Sequence, residues 1–274
     1  MTPDLAQLER IGQGRGAEIF ALADDRVLKL ARAGAAAEAD AGAGDALERE
    51  AAAMRAAHRA GMPVPPAYSL VEVGGRRGLI MGRVRGADML TQLGRRPWTI
   101  LRAGGKLGAL HARLHDTVAP PELPAARAVL EQRIAGSSHV PPAARDRALA
   151  VLWQLPDGER LCHFDFHPAN VMTDGRTLTV IDWPGACRGD TLADVAATLI
   201  ILRGGKTTPG TPLVTRLLAP VGRKLILGGY LRGYRKHATL DRERLARWLV
   251  VMAAQRLSYA IAGEEAMLLA MISA

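Results

Sequence analysis

Cysteine is scarce in this chain. It has two, Cys162 and Cys187, with no CxxC pair, so they cannot make a disulfide framework or a four-cysteine zinc site. A reducing compartment suits such a protein, and a cytoplasmic location is the expectation. Aromatic residues are only 4% of the chain, which leaves few platforms for stacking single-stranded nucleic acid and little material for a cage around a choline-like cation. Neither helix-turn-helix nor zinc-finger spacing occurs. Long apolar runs are missing as well: none reaches the roughly 20 residues of a membrane span. The opening MTPDLAQLER lacks the basic and apolar regions of a leader, so secretion and membrane insertion are not expected. No repeat with a period of some 20–50 residues is visible.

What is there looks globular. With 274 residues, 49% hydrophobic and 23% charged, the chain can bury a large core as one big domain or as two lobes sharing a cleft. Its net charge of +9 is uneven: residues 1–86 hold 12 Lys/Arg against 11 Asp/Glu, and residues 87–274 hold 24 against 16. The densest basic cluster is Arg232, Arg235, Lys236 and His237. Elsewhere the excess is scattered, which is the pattern of a solvated surface rather than of a nucleic-acid footprint. Neither nucleic acid nor membrane is therefore expected as a partner, and nothing in the pattern fixes an oligomeric state.

Along the chain, IGQGRGAEIFAL and RVLKL read as two strands around an Asp24-Asp25 turn. In the second strand Lys29 is a lone charge between apolar neighbours. Residues 31–45 are an Ala/Gly-rich connection. A helix is predicted from Ala46 to Ala60, stopped by Gly61 and the prolines at 63, 65 and 66. Strands follow at 67–73 and 78–84 around Gly74-Gly75, and residues 83–90 lead into a mainly helical part. There, residues 98–115 place Leu107, Leu110, His111 and Leu114 on one helical face. Further helices are predicted at 125–135, 143–155 and 241–262, the last with Arg256 on an apolar stripe, pointing into a cleft or pairing with an acid. Between them lies a polar, strand-flanked island at 160–194, with a hairpin turn at residues 173–176. A two-residue turn there would set Asn170 opposite position 179, about 10 Å short of Asp182 at roughly 3.3 Å per residue.

Asp165 and Asn170 are five residues apart and Asp182 is twelve further on. Two carboxylates and an amide offer hard oxygen ligands, which suit Mg²⁺, and Mg²⁺ is commonly shared with substrate phosphates. Gly12, Gly14 and Gly16 would let a backbone approach phosphates, and Lys29 would supply a fixed positive charge. Each feature has a plainer counterpart: glycines that only turn the chain, and an edge-strand lysine that keeps the sheet soluble.

Taken in order, IGQGRGAEIF, RVLKL, EREAAAMRAAHRAGMPVP, LIMGRVRG, HFDFHPANVM and IDWPGACRGDTLAD make the sequence resemble the aminoglycoside phosphotransferase and choline kinase family. The resemblance implies an α+β, bilobal, protein-kinase-like fold. Residues 1–84 would be a nucleotide-binding lobe with a small antiparallel sheet and one helix, and residues 85–274 a larger, mainly helical catalytic and acceptor-binding lobe. It implies ATP, or alternatively GTP, with Mg²⁺, and transfer of the γ-phosphate to a hydroxyl of a small molecule. Asp165 would be the catalytic base, and Asn170 and Asp182 the metal ligands. Lys29 would contact phosphates and pair with Glu50. Met81, Arg83 and Val84 would belong to the hinge whose backbone binds the base, and Asp194 would be a buried carboxylate holding the catalytic loop. His163 reads as loop support, and His167 as a neighbour of the transferred phosphate. The loop departs from G-x-G-x-x-G, because Ile19 stands where the third glycine would be.

The acceptor is less legible. An aminoglycoside, which would make this an antibiotic-resistance enzyme, calls for a cleft lined with acids. Beyond Asp194 there are four, Asp241, Glu243, Glu264 and Glu265, against twelve Lys/Arg. A neutral or anionic metabolite such as a sugar or nucleoside is the alternative acceptor. A nucleotide-binding scaffold without turnover is the alternative of another class.

Overall fold

Alternation along RVLKL organises the amino-terminal sheet. In the computed structural model, which describes residues 5, 8–14, 16–32, 43–204 and 213–273, five antiparallel strands are ordered β1-β2-β3-β5-β4. They are β1 (Arg10–Gln13), β2 (Ala17–Ala23), β3 (Arg26–Ala31), β4 (Ala67–Val73) and β5 (Arg76–Gly82). Leu28 and Leu30 turn to one face and form a small core with Phe20 and Val73. Val27 and Lys29 turn to the other, toward helix α1 (Ala43–Arg59). That helix ends where the sequence predicts, at Gly61 with φ 74°. Residues 33–42, most of the Ala/Gly connection, lie outside the described residues.

The rest of the molecule is mainly helical. It contains α2 (Met89–Arg95), α3 (Ile100–Leu114), α4 (Ala126–Gly136), α5 (Pro142–Leu152), α6 (Thr191–Arg203), α7 (Leu213–Arg235), α8 (Arg242–Leu257) and α9 (Glu265–Ser273). Short strands link it together: β6 (Ala87–Asp88) pairs with β8 (Val171–Thr173), β8 with β9 (Leu178–Val180), and β7 (Arg160–Cys162) with β10 (Cys187–Gly189). This is the expected α+β arrangement of a small sheet with one helix beside a larger helical part. Helix α6 is the hub, because Leu192 to Ile200 are all buried, apolar except for Asp194 and Thr198. No helix among the described residues is long and apolar enough to cross a membrane.

Helices α3 and α7 touch backbone to backbone. A Cβ on Gly104 would lie 2.5 Å from the Ile226 carbonyl oxygen, and one on Gly108 would lie 2.0 Å from that of Tyr230. The two helices run parallel, because His111 meets Tyr230 and His115, one turn on, meets Tyr234. One expected element is shorter than predicted. The helix foreseen over 241–262 stops at Leu257, and the chain turns through Ala260 (φ 51°) and Gly263 (φ 82°) before α9.

Candidate active site

Lys29 sits on β3, the middle strand of the sheet, with Ile19 and Leu79 as its cross-strand partners, so the edge-strand account of this lysine fails. Its Nζ donates to Glu50 Oε1 at 2.7 Å and to Asp182 Oδ1 at 3.1 Å. Burial works against the ammonium, but the carboxylates of Glu50 and Asp182 more than offset it and hold its pKa above the ordinary value. An ammonium has three hydrogens, so one is left over for a further acceptor. Glu48, two residues earlier on the same helix, is instead exposed and pairs with Arg77 at 2.7 Å.

The catalytic-loop candidates form a second chain of contacts. Asn170 donates from Nδ2 to the backbone oxygen and to Oδ2 of Asp165, both at 2.9 Å. The amide hydrogens of Asn170 are thereby turned toward Asp165, and its carbonyl oxygen remains as a hard ligand. His167 accepts the Ala169 N–H on Nδ1 and places Nε2 3.4 Å from Asp165 Oδ1. Burial would raise the Asp165 pKa, but His167, then His163 and Asn170, bring it below the ordinary value. Asp165 is thus an ionised carboxylate near neutrality, with its side chain still 46% accessible.

Beneath this loop, Asp194 accepts the backbone N–H of His163 on Oδ2 and that of Phe164 on Oδ1. Phe164 has φ 58°, a left-handed backbone that costs a non-glycine residue on the order of 1–3 kcal/mol and persists only where contacts enforce it. His163 is buried, accepts the Asp165 N–H on Nδ1 at 3.3 Å and donates from Nε2 to the Ile181 carbonyl at 3.0 Å.

The hairpin register differs from the predicted one. The turn is two residues longer: Thr173 pairs with Leu178 and Val171 with Val180. Asp174 Oδ1 captures the N–H groups of Arg176 and Thr177, both at 2.8 Å, which opens the turn, and Gly175 takes φ 95°. Asn170 therefore lies opposite Ile181, whose N–H reaches its carbonyl at 3.0 Å, and Asp182 is the very next residue. Asp182 itself adopts φ 65°, the local curl that turns its side chain to Lys29. Asn170, bonded to Asp165, is brought beside Asp182, and two carboxylates with an amide are the donor set that suits a hard divalent cation.

The remaining sequence candidates lie around this centre. Gly12, Gly14 and Gly16 belong to the β1–β2 hairpin, with Gly14 N–H bonded to the Ala17 carbonyl and Gly16 carbonyl to the Arg32 N–H. Met81 pairs with Val27 and Ala67 near the end of β5, and the Arg83 N–H donates to the Asp25 carbonyl, with Val84 next in the chain. Arg256 pairs with Glu264 through two hydrogen bonds, 2.8 and 3.1 Å, so it is an ion-pair residue.

Sequence reasoning missed two groups. Trp183 is fully buried, donates its backbone N–H to Glu50 Oε1 at 3.3 Å, and thereby ties the chain after Asp182 to the Lys29 pair. The other group is the pair His111/His115 with Tyr230/Tyr234, whose signal was a matched i, i+4 spacing on two helices. Cys162 and Cys187, far apart in sequence, are direct cross-strand partners and both buried. Burial pushes the Cys187 thiol up to about 12 and the Cys162 thiol well above its ordinary value, so both are inert apolar fillers.

A model of the phosphotransferase enzyme family matches residues 7–248. Among solved structures, an amicoumacin kinase in complex with AMP-PNP, Ca²⁺ and Ami is similar with a TM-score of 0.66 and 14% identity, over 99% of this chain and 88% of that one. An aminoglycoside-3'-phosphotransferase of type VIII is similar with a TM-score of 0.59 and 22% identity, over 91% and 93%. A choline/ethanolamine kinase family protein from Mesorhizobium loti follows with 0.58 and 18%, over 97% and 84%. At these identities the likeness is one of fold, and the fold is protein-kinase-like. No curated protein matches the sequence.

Proposed function

The chain belongs to the phosphotransferase enzyme family, and on that premise we propose that it moves the γ-phosphate of ATP, or of GTP, to a hydroxyl of a small molecule. Residues 1–84 serve as the nucleotide-binding lobe and residues 85–274 as the catalytic and acceptor-binding lobe. The observation that carries the reading is the junction of two contact chains at Ile181-Asp182: Lys29 with Glu50 and Asp182 on one side, Asp165 with Asn170 and His163 on the other.

In this mechanism Lys29, already held by Glu50, directs its remaining hydrogen to the nucleotide phosphates. Asn170 and Asp182 would hold Mg²⁺, which supplies charge neutralisation on the terminal phosphates when bound. Asp165 accepts the proton of the acceptor hydroxyl as that oxygen bonds to the γ-phosphorus, and the bond from phosphorus to the β,γ-bridging oxygen breaks to release the diphosphate. His167, beside Asp165, holds that carboxylate ionised and faces the phosphoryl group in transit. The glycines at 12, 14 and 16 cover the phosphates, and the backbone at 81–84 binds the base. Little covalent work falls to the protein; positioning and charge do the rest.

Aminoglycosides and related antibiotics are one acceptor class, suggested by the names of the similar kinases. A specific observation favours a second, neutral or anionic hydroxyl compounds such as a sugar or nucleoside. Of the four acids beyond Asp194, Asp241 caps α8 and Glu264 is buried against Arg256, so half of the carboxylates a polycation would need are committed elsewhere. The deciding experiment is magnesium-dependent ADP release from ATP, and GDP release from GTP, across aminoglycosides, other hydroxylated antibiotics, sugars, nucleosides and amino alcohols. Stimulation by one class that disappears in Asp165→Ala identifies the acceptor. Tight binding of the Mg-nucleotide with no acceptor-dependent release from any class would instead favour the scaffold.

A further inference from the structure

Two tyrosines on α7 end a hydrogen-bonded ladder that runs to the catalytic loop. Tyr230 OH lies 2.8 Å from His111 Nδ1, and Tyr234 OH lies 2.7 Å from His115 Nδ1. On the far side of the rings, His111 Nε2 is 3.1 Å and His115 Nε2 3.3 Å from one atom, Asp194 Oδ2. That carboxylate then holds the N–H groups of His163 and Phe164, the two residues before Asp165. His111, Asp194 and Tyr230 are completely buried and His115 nearly so.

The order of donors in the ladder follows from chemistry. An ionised carboxylate only accepts, so an imidazole holds Asp194 only while its proton is on Nε2; with the proton on Nδ1 that bond is lost. Nδ1 is then a lone pair in a dry site, and the phenol is its donor. Burial pushes the Tyr234 phenol up and the Tyr230 phenol well above its ordinary value, so both hydroxyls keep their protons. Burial pulls His111 down to about 4, which leaves that ring neutral and makes its tautomer a matter of hydrogen bonding alone. The glycine contact between α3 and α7 is what brings phenol and imidazole this close.

We propose that Tyr230 and Tyr234 are positioning residues for phosphoryl transfer: by donating to Nδ1 of His111 and His115 they fix the Nε2–H tautomers that hold Asp194, and through Asp194 the left-handed turn before Asp165. The proposal rests on Asp165 being the base. Tyr234 carries more of the effect, because His115 makes an aligned bond to Asp194 whereas His111 Nε2 is close but lacks an aligned partner.

Tyr234→Phe tests this with three readouts on the full-length protein. In a long-range ¹H–¹⁵N spectrum of the imidazoles, wild-type His115 shows protonated Nε2, and the variant shows partial or full transfer of the proton to Nδ1. In acceptor-stimulated turnover, kcat falls about tenfold, the size expected when a buried nitrogen loses its donor, while KM for the nucleotide stays within about twofold. A His115→Gln background offers Asp194 an amide N–H with no tautomer to set, so Tyr234→Phe added to it costs less than about twofold. An unchanged His115 tautomer together with unchanged kcat overturns the proposal, as does a tenfold loss that is the same in the His115→Gln background, which would mean simple loss of packing. The three ligand atoms of His111, His115 and Asp194 also lie within 4.8 Å of one another, so about one zinc per purified chain would put lone pairs on Nε2 and overturn it too. The spectrum reads the ladder without turnover, so its outcome stands apart from the assignment of Asp165 as base.

Discussion

The glycine hairpin and the loop that carries Asp165 are both short and polar, yet they are held in opposite ways. The hairpin is an exposed β1–β2 turn: Gln13, Gly14 and Gly16 are all exposed, and a Cβ on Gly16 would meet nothing within 4 Å. The catalytic loop lies on buried His163, Phe166 and Asp194, and its left-handed Phe164 is clamped by a carboxylate. Under the proposed function, the group that takes the acceptor proton is built into the folded chain, whereas the cover over the phosphates is left to its ligand. Preorganised charge is effective in catalysis because nothing has to reorganise during the reaction, and a loop that must admit and release a nucleotide gains from few contacts.

The largest loss is expected at the proposed base. Asp165→Ala should lower turnover by about 10³-fold while leaving nucleotide affinity within a few-fold, as measured by single-turnover kinetics beside calorimetric titration. A variant with near-wild-type turnover would remove the catalytic loop from its place in the contrast. Next in size, Gly108→Ala inserts a methyl into the Tyr230 carbonyl and should cost about 3 kcal/mol or more, at the upper end of overpacked cores, read from urea unfolding. The same change at Gly16 should leave stability within about 0.5 kcal/mol, since the site is open. If the two substitutions cost the same, the rigid and compliant regions have been misassigned.

Acid pH sharpens the contrast further. His111 has a folded pKa lowered from 6.5 to about 4, so its contribution is fully present above pH 6.5 and is lost as pH falls toward 4. The loss is on the order of 3 kcal/mol for the fully buried ring. Unfolding midpoints should therefore fall between pH 6.5 and 4 in the wild type and fall less in His111→Gln. Asp194, with its pKa well below 3.8, has the same sign in a separate window at still lower pH. A smaller effect belongs to the phosphate side: Asp182→Asn keeps a side chain that tolerates φ 65° and should weaken Mg-nucleotide binding about tenfold, by titration at fixed magnesium.

Local pattern carried much of this molecule. Alternation placed β3, the Gly74-Gly75 turn fell where the glycines stand, and the stop at Gly61 and the apolar face of residues 98–115 gave α1 and α3 nearly to their ends. Family resemblance chose Glu50 over Glu48; in the fold Glu50 bonds Lys29 and Glu48 bonds Arg77. What stayed hidden was non-local. The hairpin register depended on one side chain, Asp174, bonding to its own turn, and that shifted Asn170 by two residues relative to Asp182. The tyrosines at 230 and 234 have no local signal of their partners, which lie 119 positions earlier in the chain. Arg256 looked the same on an apolar stripe whether it faced a cleft or an acid, and only the turn at 258–264 brings Glu264 back to it.

The glycine seam between α3 and α7 also sets when the enzyme can come into being. Helix α3 carries Gly104, Gly105 and Gly108 within one stretch, each costing about 1 kcal/mol of helix propensity relative to alanine, so on its own it is a poor helix. Its stability is borrowed from α7, which leaves the ribosome 119 positions later at the tyrosines, and long loops of this kind must close before the contact rewards them. A nascent chain that has not yet emitted Tyr234 therefore holds the catalytic residues without the fold that aims them. On the proposed function, phosphoryl transfer in this sense waits for Tyr234 rather than being assembled lobe by lobe.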